Sequence, residues 1–210
     1  MITNSHRSKQ LEEFLDKPHP IMEKYYDLLE TPTTEEYFKN QLRYFIETDP
    51  EFFDPYHKLV DLLLVENKPD EAKQLLQKGF ECIMQKIVDK EGNWPKKMPW
   101  AWLENRHMMR LIDRYAHMLW AEGNNEAALD LFRRLLHVNC GDNQGARYEI
   151  LAIRLGLKMN WEEPFILTEG PMAGAGLDAM ELDQWFQENA KRFPDEFDWL
   201  FRTWKKENRL

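Results

Sequence analysis

The chain has 210 residues, with 28 basic and 37 acidic side chains and a formal net charge of −9. Hydrophobic residues at 43% and aromatic residues at 13% supply material for a core and exclude an intrinsically disordered chain. The acidic balance disfavours nucleic-acid binding, which rests on clustered Lys and Arg, and no window carries the roughly 20 apolar residues of a membrane span.

The first residues, Met1 to His6, run into polar sequence without an apolar leader segment. Two cysteines, Cys82 and Cys140, are too few for a disulfide framework or an all-thiolate zinc site. A cytoplasmic protein is expected. Helical patterns dominate from Lys17 onward. Met22, Tyr25 and Leu29 form one stripe, and Thr33 with Glu36 makes a capping-box pattern ahead of Phe38, Leu42 and Phe45. Pro50 closes that second helix. Adding 34 to these six positions gives Tyr56, Leu59, Leu63, Ala72, Leu76 and Gly79, apolar or small at every one. Such a register describes antiparallel helix pairs, each joined by a turn such as Asn67-Lys68-Pro69-Asp70-Glu71.

The pattern returns with Ile112, Tyr115, Ala116 and Leu119, a turn at Glu122–Asn125, and Ala128, Phe132 and Leu135. Ala128 stands 22 residues further from Ala72 than the register requires. The insertion carries Asp89–Pro95 and the tryptophans Trp94, Trp100 and Trp102, which are expected to staple elements together. A further helix is expected from about Gly145 to Leu157. Thr168–Gly176 has the composition of a flexible connector. Leu177–Phe193 and Asp195–Arg209 read as two amphipathic helices parted at Pro194, either capping the last hairpin or folding on a partner.

The spacing of these stripes and small residues resembles the tetratricopeptide (TPR) repeat family, with units near 17–50, 51–84 and 105–140 and a partial unit at 145–167. Phe38 stands where that family has a small residue, Val60 likewise, and Cys140 replaces a closing Pro. The resemblance implies an all-α, right-handed superhelix of antiparallel hairpins over 1–167, with the aromatic insertion, the linker 168–176 and C-terminal capping helices in 177–210. It also implies a concave groove lined by the first helix of each pair. Asp54, His57, Asp61 and Leu64 take those positions in one unit, and Arg110, Asp113, His117 and Trp120 in the next. Arg106, Arg110 and Arg114, four apart, share one ridge.

The function expected from this set is a non-enzymatic scaffold holding a peptide or protein segment. Tyr56, Leu64 and Trp120 would cover its apolar side chains, and Arg110, His57 and His117 would orient it. Against this stands the plainer possibility that the arginines pair with Glu104, Asp113 and neighbouring surface acids. The carboxylate-clamp pattern of chaperone-binding family members is not reproduced. The six histidines contain no HExxH and no close ligand spacing, so neither metal nor cofactor is expected. Two other readings stay open: an enzyme using His107 or His117 with nearby acids beside the insertion or C-terminal helices, and homo-oligomerisation through those helices.

Overall fold

The computed structural model describes residues 11–207, leaving outside them the N-terminal stretch read above and the last residues expected in the final helix. Among the described residues nine α-helices follow one another: α1 (Met22–Glu30), α2 (Glu35–Thr48), α3 (Asp54–Val65), α4 (Pro69–Ile87), α5 (Leu103–Ala121), α6 (Asn125–Val138), α7 (Ala146–Arg154), α8 (Ala179–Asn189) and α9 (Pro194–Lys206). Among the described residues no strand forms; two isolated bridges, Glu13 with Lys97 and Ile166 with Leu177, are the extended pairings. The chain is therefore all-α. No helix among the described residues is long and apolar enough to cross a membrane.

Local chemistry accounts for the helix ends. The Thr34 hydroxyl accepts the Tyr37 N–H and caps α2, one residue later than the capping box expected at Thr33. Pro55 and Pro69 sit in the first turns of α3 and α4, where the missing N–H costs nothing. Asn67 and Gly123 take positive φ (59° and 81°) in the turns that reverse the chain between α3 and α4 and between α5 and α6. These two short turns make each pair an antiparallel hairpin.

Packing joins consecutive helices, and α3 also lies against α5, so first helices of successive hairpins are neighbours. Tyr56, Leu59, Leu63, Ala72, Leu76, Ile112, Ala116, Ala128, Phe132 and Leu135 are all buried. At Gly79 α4 approaches its neighbours closely: a Cβ there would stand 3.1 Å from Leu111 and 3.2 Å from Tyr56. In α1 the buried residues are Tyr25 and Leu28, whereas Leu29 is 43% exposed. The 34-residue stripe slips there: α1 is a short helix that packs on α2 and hydrogen-bonds through Tyr25 and Tyr26 to Asp54 of α3.

Of the three tryptophans expected as staples, Trp94 is buried and Trp100 partly so, whereas Trp102 is 46% exposed. Trp94 and Met98 are buried, the Met98 N–H donates to the Val138 carbonyl at 2.8 Å, and the extended segment 11–14 pairs with Lys96 and Lys97. The segment read as a flexible connector closes on itself, since the Leu167 N–H donates to Gly176 O and the Gly174 N–H returns to Leu167 O, both at 2.8 Å. Beyond it, α8 and α9 follow, and α9 is tied to α6 and α7. Glu196 of α9 pairs with Arg133 of α6 and Arg154 of α7, and the Trp204 indole donates to Cys140 O at 2.7 Å. The buried rings of Phe186 and Phe197 meet edge to face at 5.0 Å.

Candidate functional site

Two polar clusters organise the molecule. The first is built on the extended segment before α1, where Asp-Lys-Pro-His-Pro places Asp16 and His19 in the interior. Asp16 accepts from Lys86 at 2.5 Å, His107 at 3.1 Å and His19 at 3.2 Å. The other His19 nitrogen lies 2.8 Å from Asp49, and the Asp16 N–H donates to Asn105 at 3.0 Å. This segment, α4 and α5 meet at the Asp16 carboxylate, and its two histidines carry the network on to Asp49 after α2 and to Phe53 before α3.

Asp16, His19 and His107 offer atoms within 4.8 Å of one another, a set that could hold a cation by composition. The hydrogen-bond pattern opposes it. The Phe53 N–H donates to His107 Nδ1 at 3.0 Å, so Nδ1 carries no proton and Nε2 must carry the one it gives to Asp16. That nitrogen has no lone pair to offer unless the ring becomes an imidazolate. His19, with a carboxylate at each nitrogen, is an imidazolium: burial would lower its pKa, but Asp16 and Asp49 outweigh burial and raise it. For Asp16, burial favours the acid, but the bonds from His107, His19 and Lys86 hold it far below the carboxylate range. Burial lowers His107, keeping it neutral against the opposing pull of Asp16. The cluster is a saturated, charge-compensated knot rather than a vacant ligand set.

The second cluster lies between α3 and α5 and contains most of the residues expected in a groove. Arg110 reaches Asp54 with Nη2 at 2.6 and 2.7 Å and Nε at 3.1 Å, and the Tyr26 hydroxyl donates to the same carboxylate at 3.1 Å. Arg114 pairs with Asp61 at 2.5 Å. His117 stands between Asp113 at 3.4 Å and Glu149 of α7 at 3.3 Å, and Glu149 also accepts from the Trp161 indole. Burial would depress the His117 imidazolium, but these carboxylates outweigh it and lift its pKa to about 11. His57 lies between the two arginine–aspartate pairs; its Nδ1 is buried without a hydrogen-bond partner, and burial with Arg114 nearby lowers its pKa.

Three expected groove residues take other places. Trp120 is 5% exposed and Tyr56 is 1% exposed, so both belong to the core and present no surface to a partner. Arg106 turns to the insertion, donating to the Trp100 carbonyl at 2.8 Å with its guanidinium 5.3 Å over that ring. Arg110 and Arg114 pair across helices with Asp54 and Asp61, not with Glu104 or Asp113. Leu64 is the expected apolar residue that is exposed, at 47%.

Leu64 borders an open cavity of about 420 Å³ between α3, the start of α4, the end of α5 and Met159. Val60, Leu76, Met118 and Ala121 make its apolar lining, and Asp70, Lys73, Arg114, His117 and Glu122 its rim. The sequence reading missed Met159, which arrives in the turn after α7 and carries no periodic signal. Compared with protein-family models, curated proteins and solved structures, the chain matches none.

Proposed function

We propose that the chain is a non-enzymatic interaction scaffold whose hairpins stack as a TPR-like right-handed superhelix and hold a protein segment on the α3–α5 face. The observation that carries this reading is the cavity beside Leu64. Exposed Leu64 and Met159 flank apolar space large enough for a side chain, next to a polar floor whose charges are already paired. Paired charges keep the floor rigid and leave the apolar space as the source of affinity. The stacking of first helices α3 and α5 and the close approach at Gly79 support the TPR-like arrangement.

An enzymatic reading draws less support from the same geometry. His107 is 3% exposed with both nitrogens engaged, and His117 holds its proton too tightly for general-base work near neutrality. The test is selection of a displayed random-peptide library on the folded chain, followed by methyl NMR. Enriched peptides should shift the methyls of Leu64, Met118 and Met159, and Leu64→Asp should weaken them about tenfold or more. No enrichment, or shifts confined to exposed Leu15 and Leu103, would overturn the proposal.

A further inference from the structure

Resting on that proposed scaffold, we infer that the cavity beside Leu64 takes a protein segment in which an apolar side chain is followed closely by Lys or Arg. The charge around the cavity selects this partner. Lys73 is spent on Glu122 at 2.6 Å, Arg114 on Asp61, and His117 on Asp113 and Glu149. Every cation at the rim therefore has an acid, and His117 has two. Among the described residues Asp70, on the rim itself, forms no ion pair; Lys73, which feels its charge, is bonded to Glu122 instead. Glu162 follows the cavity-lining Met159 by three residues, feels the charges of Glu149, His117 and Asp113, and among the described residues forms no ion pair.

Burial first, then the neighbouring Glu149 and Asp113 carboxylates, raise the pKa of Glu162, against the opposing pull of His117. A cationic side chain entering beside Met159 relieves that repulsion, whereas an acidic one adds to it. The apolar lining then fixes which side chain goes inward: Val60, Leu76 and Met118 match a Leu, Met or Phe, with the flexible Met118 and Met159 adapting to its shape. A nucleic-acid strand would meet the same unpaired acids and is repelled.

The experiment compares sequences enriched from the displayed library on the native chain and on an Asp70→Asn/Glu162→Gln variant. Both side chains leave the core untouched, and a thermal melt verifies folding. Enriched peptides should pair Leu, Met or Phe with a nearby Lys or Arg. Synthetic copies should bind the double variant roughly two- to tenfold more weakly, and replacing arginine by its neutral isostere citrulline should weaken binding to the native chain similarly. Raised salt should remove most of the difference. Enrichment of neutral or acidic peptides that still shift the Leu64 and Met159 methyls would overturn this inference and keep the scaffold. Failure to enrich any peptide at this face would overturn both.

Discussion

Arg110 grips Asp54 through both its Nη2 and its Nε, and Asp54 is 8% exposed on its side chain while Arg110 keeps 34%. The pair therefore joins α3 to α5 from the inside of the polar face, with the Tyr26 hydroxyl bringing α1 onto the same carboxylate. A guanidinium committed in this way is not free for a partner's carboxylate, which was its expected role. Removing either member should cost stability and spare peptide affinity. Asp54→Ala, which strands the half-buried Arg110, should destabilise by about 2–4 kcal/mol, and Arg110→Lys should recover little because an ammonium cannot reproduce the fork. Urea titration gives the first number. Unchanged stability in Asp54→Ala would mean the pair is merely solvated.

The Asp16 knot makes a sharper prediction. Asp16→Asn leaves the His19 imidazolium and the Lys86 ammonium facing a neutral amide in the interior, which should cost about 3–5 kcal/mol. His107→Phe removes one bond to Asp16 and strands the Phe53 N–H, for about 1–3 kcal/mol. Because His107 Nε2 carries the proton, zinc added to the folded chain should leave the melting temperature where it was, and a chelator should do the same. A zinc-dependent rise that Asp16→Asn abolishes would overturn the tautomer argument.

The contrast between these two clusters shows where sequence reading works. Helix periodicity is local, so the stripes at Tyr56–Leu63, Ala72–Gly79 and Ala128–Leu135 were legible, and each is buried. The polar contacts are not local. Nothing in the Asp16–His19 segment points to His107, 91 positions from Asp16 along the chain, and two prolines flanking a histidine are the lone hint of a fixed extended segment. The same limit explains Trp120. Its groove position followed from counting along α5, but its burial depends on how α5 is rotated against its neighbours. A large ring turns inward wherever space allows, since burying it is worth more than exposing it. Leu28 and Leu29 show the smallest version of the error: adjacent leucines are interchangeable in a degenerate stripe, and tertiary packing chose between them.

His117 should make stability fall with rising pH. Its folded pKa of about 11 lies above the ordinary histidine value of 6.5, so the folded chain holds a proton that the unfolded chain releases. That contribution is complete below about pH 6.5 and fades as pH climbs toward 11, with a limiting slope of about 1.4 kcal/mol per unit. Raised His19 acts in the same direction, whereas lowered His57 and His107 act as pH falls below 6.5. Unfolding free energies from urea titrations at about pH 6.5, 7.5 and 8.5 should drop by a few kcal/mol in total, and His117→Gln should flatten most of the decline. Parallel pH profiles for the two proteins would mean that Asp113 and Glu149 do not hold the proton.

Gly79 gives the most direct test of how the hairpins stack. In an exposed helix, Gly→Ala stabilises by about 1 kcal/mol through backbone propensity alone. At Gly79 the new Cβ meets the Leu111 methyls at 3.1 and 3.2 Å and the Tyr56 ring at 3.2 Å, inside ordinary contact distance. Tyr56 and Leu111 are themselves fully buried, so neither can move aside without displacing the core around it. Overpacking of that kind costs about 1–3 kcal/mol and should outweigh the propensity gain, leaving Gly79→Ala less stable by about 1 kcal/mol. Gln77→Ala, on the exposed side of the same helix, should change stability by less than about 0.5 kcal/mol. The steric origin predicts coupling: in a Leu111→Ala background the loss at Gly79 should vanish or reverse, because the methyls it strikes are gone. Stabilisation by Gly79→Ala in the native background would mean that α4 stands further from α5 than these distances allow, and the face bearing Leu64 would have to be redrawn with it.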